Sequence, residues 1–448
     1  MMTTPICDFV RRYAAGVPLR LHMPGHKGAG PFGIEALDIT EVSGADSLYE
    51  ADGIIRESEE NASALFGCPT FYSTEGSSLA IRAMLYLACL HARERGTQPL
   101  IWAGRNAHKT FLSAAALLDL DVEWIWPNTQ ESYLSCTVDA SWLENALQTA
   151  QKLPAAVYLT SPDYLGSVAD IPAIADVCRR RGVLLLVDNA HGAYLKFLPE
   201  SRHPIDLGAD ACCDSAHKTL PVLTGGAYLH ISPTAPAAFA AQARQALALF
   251  GSTSPSYLIL QSLDAANHTL ASGYPALLAD FSAQAEATKS RLTQQGYVLF
   301  GNEPMKLTIC AKPYGYTGCE LAQTLEEANI VCEFADPDFM VCMLTPEIGT
   351  AGLEKLEKAL CSIPRREAVD YSLPPALSAP ERAMTVRQAV FSASETIPAK
   401  ESCGRILSAA TVGCPPAVPI VVCGERIDED AVRCFDYYGI EACTVIRE

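Results

Sequence analysis

No apolar run in the 448 residues approaches the ~20 needed to cross a bilayer, so no membrane span is expected. Positive charge is scarce: 33 Lys and Arg stand against 51 Asp and Glu, a formal net charge of −18. Such a surface repels phosphate backbones and argues against nucleic acid as a partner. Charged residues make up only 19% of the chain and apolar ones 49%, which excludes disorder throughout. The 17 cysteines include no C-x-x-C pair. Zinc and thiol-redox chemistry both lack their spacing, and no metal is expected. Cys403, Cys414, Cys423, Cys434 and Cys443 recur at nearly even intervals without a chemical reason, and buried free thiols are the expectation. Residues 1–20 contain Asp8, Arg11, Arg12, Gly16 and Pro18 rather than a continuous apolar stretch, so the expected compartment is the cytoplasm. No G-x-G-x-x-G phrase follows a predicted strand, which removes the Rossmann dehydrogenases.

At roughly 150 residues per domain, the length suggests about three folded units. Between Cys68 and Ile231, short apolar runs alternate with amphipathic stretches. Strands are predicted at 69–73, 100–103, 122–126, 155–159, 183–187, 211–214 and 226–231, with helices at 78–93, 140–153 and 171–181. Strict alternation predicts parallel strands joined by crossover helices. The run Val183-Leu-Leu-Leu-Val187 is apolar on both faces, as a central parallel strand requires. Long helices follow at 256–271 and 276–295, then a smaller α+β pattern over 306–363. Prolines at 374, 375 and 380 mark a linker before a last compact segment with strands at 420–423 and 441–446.

Four phrases on the large domain carry chemistry, each with a plainer alternative. Ser73-Thr-Glu-Gly-Ser-Ser78 ends a strand and opens a helix, where free N–H groups suit a phosphate; ordinary capping by Ser77 or Ser78 is the other reading. Asp188 ends the apolar strand, where open α/β sheets place ligands, and could face a protonated pyridine nitrogen or merely cap a turn. Lys218, in Asp214-Ser-Ala-His-Lys-Thr219, precedes the pair Gly225-Gly226 and could form an imine, or be a solvated charge. His108, in Gly104-Arg-Asn-Ala-His-Lys109, could lay a flat ring over a cofactor, or be a hydrogen-bonded loop histidine.

Together these phrases resemble the fold-type I enzymes dependent on pyridoxal 5′-phosphate. They resemble most the Orn/Lys/Arg decarboxylase family in its short bacterial form. Met23-Pro-Gly-His-Lys-Gly28, Asp38-Ile-Thr-Glu41, Ser161-Pro-Asp-Tyr164, Ser215-Ala-His-Lys218, Ser252-Thr-Ser-Pro-Ser-Tyr257, Gly404-Arg-Ile406 and Pro415-Pro416 carry the likeness across nearly the whole chain. The resemblance implies an α/β, aspartate aminotransferase-like large domain with a mainly parallel sheet, plus smaller and C-terminal α+β domains. The implied division is an arm at 1–60, the cofactor domain at 61–295, a small domain at 296–366 and a last domain at 367–448. It implies Lys218 as the imine-forming residue, Asp188 at the ring nitrogen and His108 stacked on the ring. Gly76, Ser77, Ser78, Ser215 and His217 would lie about the phosphate side, and His191 near the ring. Ser252, Thr253 and Ser254 would reach the cofactor of a neighbouring subunit, making a homodimer. Arg405 and Pro415-Pro416 would border the substrate entrance. His217 or Lys218 would return a proton to the substrate.

The implied reaction is decarboxylation of a small basic amino acid (arginine, lysine or ornithine) to its amine. Ala409 and Ala410 stand where the family commonly has an acidic residue, and Cys414-Pro-Pro-Ala-Val-Pro419 and Thr224-Gly225-Gly226 also depart from its pattern. A cationic side chain needs an acidic partner when buried, so these departures bear on substrate choice. They leave open another reaction on the same cofactor, namely aldol cleavage, transamination or oxidation. They also leave open a binding protein that has kept the fold.

Overall fold

The computed structural model describes residues 2–127, 132–369, 374–375, 379–414 and 418–448. The chain forms two compact units, Met1–His91 with Leu184–Ala279, and Ala92–Val183 with Asp280–Glu448. The fold is α/β: the first unit holds β1 (Thr70–Ser73), β5 (Leu184–Asp188), β6 (Ala211–Asp214) and β7 (Ala227–Ile231), and the second holds β2 (Leu100–Gly104), β3 (Asp121–Ile125) and β4 (Ala156–Thr160). Every residue of β2, β5, β6 and β7 is buried, so these strands do not alternate apolar with polar: β5 and β6 are apolar up to a terminal Asp, and β7 is apolar but for His230.

In the first unit the strand order is β1-β7-β6-β5. β5 and β6 are parallel, with Asp188 opposite Cys213, so both strands end side by side. β7 is antiparallel to β6 and to β1, an exception to the parallel strands that alternation predicts and one that the mainly parallel sheet of the resemblance allows. The connection from β6 to β7 contains a helix of only four residues, Ala216–Thr219. That helix advances about 6 Å, about half of what is needed to run back along a four-residue strand, so the chain turns instead of crossing over. In the second unit β4, β2 and β3 are neighbours and parallel. The helix Ile171–Arg181 has the boundaries its ends dictate. The Asp170 side chain caps the Ala173 N–H, a proline stands in the first turn, and Gly182 leaves in the left-handed region.

The second unit also holds an antiparallel sheet of β8 (Val298–Phe300), β9 (Lys306–Cys310), β10 (Phe334–Ala335) and β11 (Phe339–Met343), in the order β10-β11-β9-β8. Its last segment pairs β12 (Ser394–Pro398) with β15 (Ala442–Ile446), and β13 (Thr411–Cys414) with β14 (Val418–Val422). Leu407, Ile420, Val421, Ile427, Phe435 and Val445 form its core, which also takes up Cys434 and Cys443. Cys423 is buried as well, whereas Cys403 is exposed.

Candidate active site

The helix Gly76–Glu94 starts three residues after β1 ends. The Ser73 hydroxyl donates to the Gly76 carbonyl at 2.9 Å, closing the turn between them. Gly76 has φ +69°, and its N–H donates to the Gly225 carbonyl at 2.7 Å. Gly225 has φ +98°, and a Cβ there would stand 2.9 Å from the Thr74 carbonyl oxygen. Only glycine allows that approach. The turns at 73–76 and 224–226 are thus pinned together.

Ser215 follows β6 directly and donates its hydroxyl to Ser77 Oγ at 2.8 Å. Two hydroxyls therefore meet at the start of a long helix whose first N–H groups point outward along its axis, a donor set for an anion. His217 sits beside them, with Gly76 3.8 Å from its ring when a Cβ is placed there. Its Nδ1–H donates to the Gly226 carbonyl at 3.0 Å, leaving Nε2 as the nitrogen that gains or loses a proton. Burial lowers the proton affinity of this ring, and the Lys218 charge lowers it further against the Gly226 carbonyl. His217 is then neutral at neutral pH unless a bound anion restores its proton.

Lys218 lies one residue further on, half-buried, with Nζ 3.0 Å from His191 Nε2. His191 is buried and stands on the turn that follows β5. The same turn begins at Asp188, 2% exposed, whose Oδ1 accepts the Ala190 N–H at 3.2 Å and the Cys213 thiol at 3.6 Å. Burial, then the neighbouring Asp188 carboxylate, pushes the Cys213 thiol well above its usual value, so it stays a donor. The structure thereby brings Gly76, Ser77, Ser215, His217, Lys218 and His191 together in one unit with Asp188. Ser78, half-buried, is the third residue of the same helix.

His108 belongs to the second unit, where it is the N-cap of the helix Lys109–Leu118. Its Nδ1 accepts the Thr110 N–H at 3.2 Å. Ser252, Thr253 and Ser254 are exposed, and the Ser252 N–H donates to the Glu75 carboxylate of the same chain at 2.6 Å. Arg405, in the second unit, is engaged by Glu395 at 2.7 Å and Glu448 at 3.1 Å. Pro415 and Pro416 lie outside the described residues. Sequence reasoning missed Asn189, His203 and His230, all fully buried around Asp214. The one available signal was His230 itself, a polar ring inside the apolar strand Ala227-Tyr-Leu-His-Ile231, where it requires a hydrogen-bond partner.

The family model described as "Orn/Lys/Arg decarboxylase, major domain" matches residues 4–296. An arginine decarboxylase of Bacillus subtilis (strain 168) is 30% identical over 96% of this chain and 92% of its own. One from Halalkalibacterium halodurans is 30% identical over 95% and 91%. Among solved structures, the Francisella novicida lysine decarboxylase LdcF superposes with TM-score 0.79 over 100% of this chain and 81% of its own, at 16% identity, a likeness of fold. An alanine–glyoxylate aminotransferase from Nostoc sp. shares the fold at TM-score 0.54, with 19% identity over 68% of this chain and 85% of its own.

Proposed function

The chain belongs to the Orn/Lys/Arg decarboxylase family, and on that premise we propose that it decarboxylates a basic amino acid with pyridoxal 5′-phosphate bound. Arginine, lysine and ornithine are the candidate substrates, and the products are carbon dioxide and the matching amine. The observation that carries this reading is the Lys218–His191 contact of 3.0 Å on the turn that also joins Ser215 to Ser77 at the helix start.

The donor set fits the cofactor. Ser77, Ser78 and Ser215 would supply backbone and hydroxyl donors for its phosphate, beside Gly76, whose own N–H is held by the Gly225 carbonyl. Lys218 offers an amine for covalent attachment, and Asp188 offers a buried carboxylate for its ring nitrogen. When bound, the cofactor supplies an electron sink for the pair released as carbon dioxide leaves. The protein's part is positional and acid–base. His191 Nε2 can accept a proton from Lys218 Nζ, which lets the amine pass between its charged and nucleophilic forms. His217 Nε2 or Lys218 Nζ would deliver a proton to the substrate carbon after the carboxyl group departs. A homodimer in which Ser252, Thr253 and Ser254 serve the neighbouring subunit, and residence in the cytoplasm, belong to the same proposal. Among the described residues no helix is long and apolar enough to cross a membrane.

The test is a panel of arginine, lysine and ornithine with amine and carbon dioxide detection. One of the three is expected to be turned over, and the purified protein is expected to show a visible cofactor band that Lys218→Ala lacks. No amine from any of the three would overturn the assigned reaction.

A further inference from the structure

Asp214 is the last residue of β6 and is wholly buried. Its Oδ1 accepts the Asn189 Nδ2–H at 2.7 Å. Its Oδ2 stands 3.1 Å from Nε2 of His203 and 3.1 Å from Nε2 of His230. The Nδ1 of His230 in turn meets the Thr70 hydroxyl at 2.9 Å. Burial alone would push the Asp214 carboxyl up, but the two imidazoles outweigh it and hold it well below the usual range. It is therefore a carboxylate with three donors, in a shell that includes the rings of Phe66 and Tyr228.

A charge buried in a β-sheet core is costly, and apolar packing would serve stability as well or better. What the carboxylate adds is direction. Asn189 opens the turn after β5 and is bound twice to β6, by its backbone N–H to the Cys213 carbonyl at 3.0 Å and by its side chain to Asp214. Its Oδ1 occupies the space above Gly192, where a Cβ would come within 2.1 Å. Two residues after Asn189 comes His191, which contacts Lys218, and Lys218 is only four residues beyond Asp214. Two short stretches of chain and two polar contacts thus form a closed ring, with Asp214–Asn189 at one end and Lys218–His191 at the other.

We propose that Asp214 is a positioning residue that sets the turn Asp188–His191 against the turn Ser215–Lys218, with His203 and His230 keeping its carboxylate aimed. The inference rests on the reading of those two turns as the cofactor site. Asp214 touches neither cofactor nor substrate in this assignment; it acts through Asn189.

The test measures the dissociation constant of pyridoxal 5′-phosphate for the full-length apoprotein, alongside its urea midpoint. Asp214→Asn and Asn189→Ala are each expected to weaken binding by about tenfold or more, the range of a hydrogen bond to a charged group. The double variant is expected to be no weaker than the worse single one, because both act through one contact. Asp264→Asn is the stability control, since that buried carboxylate binds Ser58 and the Cys7 N–H away from both turns. It is expected to lower the urea midpoint and leave cofactor affinity within about twofold. Should Asp214→Asn fail to fold, His203→Gln, which keeps a donor toward Oδ2, is compared with His203→Leu, which removes it. The first is expected to hold affinity and the second to lose it. Additive losses in the double variant, wild-type affinity in Asp214→Asn, or equal behaviour of the two His203 variants would overturn the proposal. So would stoichiometric zinc in the purified protein that Asp214→Asn releases, because the three side chains would then be metal ligands. A wild-type protein that binds no pyridoxal 5′-phosphate would instead bring down the functional reading on which this inference stands.

Discussion

Lys218 and His191 are 27 residues apart in the chain and 3.0 Å apart in the fold. The amine is half-buried, and the ring it contacts is held on the turn that starts at Asp188. Asp188 itself is kept among donors, the Ala190 N–H and a Cys213 thiol that burial prevents from ionising. A carboxylate aimed by two donors at the end of an apolar strand is the partner that a protonated ring nitrogen requires. Asp188→Ala is therefore expected to retain measurable cofactor, through the phosphate donors and Lys218, while turnover falls by about 10²-fold or more, as for the loss of a strong electrostatic contact. Steady-state kinetics at saturating cofactor measure it, and near-normal turnover would remove Asp188 from its proposed role.

Between elements, the site depends on contacts that tolerate little change. A side chain at Gly225 must accept φ +98° and a Cβ 2.9 Å from the Thr74 carbonyl. Gly225→Ala is expected to cost about 1–3 kcal/mol and to weaken cofactor binding, since the Gly225 carbonyl holds the Gly76 N–H at the helix start. Urea unfolding and a cofactor titration separate the two effects. Below the same strand, Glu59 of the helix Ile54–Phe66 accepts the Tyr72 N–H of β1 at 2.8 Å and pairs with Arg244 of the helix Ala237–Phe250. Burial outweighs the Arg244 charge and pushes Glu59 from an ordinary 4.5 up to about 7. The folded protein then binds the proton more tightly than the unfolded chain. Stability from this group is complete below about pH 4.5 and is lost as pH rises through 7, by about 3 kcal/mol. Glu59→Gln is expected to flatten that slope in urea midpoints measured from pH 4.5 to 8, and an unchanged slope would assign it to another group. What was legible beforehand follows the same division between local and tertiary causes. The strand Ala211–Asp214 and the helix Ile171–Arg181 were readable to the residue, because apolar runs, a cap and a terminal glycine are local signals. Lys218, Asp188 and Ser77 stood out in strand-end phrases and Ser215 through the resemblance, and the structure brings the four into one unit. The direction of β7 was not readable, because it depends on the length of the intervening helix, nor was β12, whose Ser-Glu-Thr-Ile-Pro lacks an apolar face. His230 signalled only that it needs a partner; that it, His203 and Asn189 converge on Asp214 was illegible, since nothing in the sequence says which carboxylate a buried polar side chain will meet. His108 caps the helix Lys109–Leu118 through Nδ1, a contact compatible with either role the sequence had offered it.

At the scale of the whole molecule, the second unit draws on both the middle and the end of the chain, Ala92–Val183 with Asp280–Glu448. Arg105, just after β2, forms a bidentate pair with Glu425 at 2.7 Å on each arm, 320 residues away, with both side chains 5% exposed. The guanidinium also donates to the Ile420 carbonyl at 3.0 Å and lies 5.0 and 4.6 Å from the rings of Trp124 and Trp126. Glu425 takes a further bond from the Val422 N–H at 2.9 Å. The two terminal nitrogens of the guanidinium thus find these partners only when the last segment of the chain has folded against residues 105–126. Removing one partner leaves the other buried and uncompensated, at a cost of about 3–5 kcal/mol, whereas replacing both with apolar residues can be close to neutral. All four tryptophans, Trp102, Trp124, Trp126 and Trp142, belong to this unit, so fluorescence excited selectively at tryptophan reports on it. Glu425→Ala is expected to shift the fluorescence-detected urea midpoint sharply downward, and Arg105→Met with Glu425→Leu to restore most of it. If the double variant unfolds as early as Glu425→Ala, the pair is stabilising in its own right, and the aromatic rings around Arg105 are then selecting the cation rather than merely covering it.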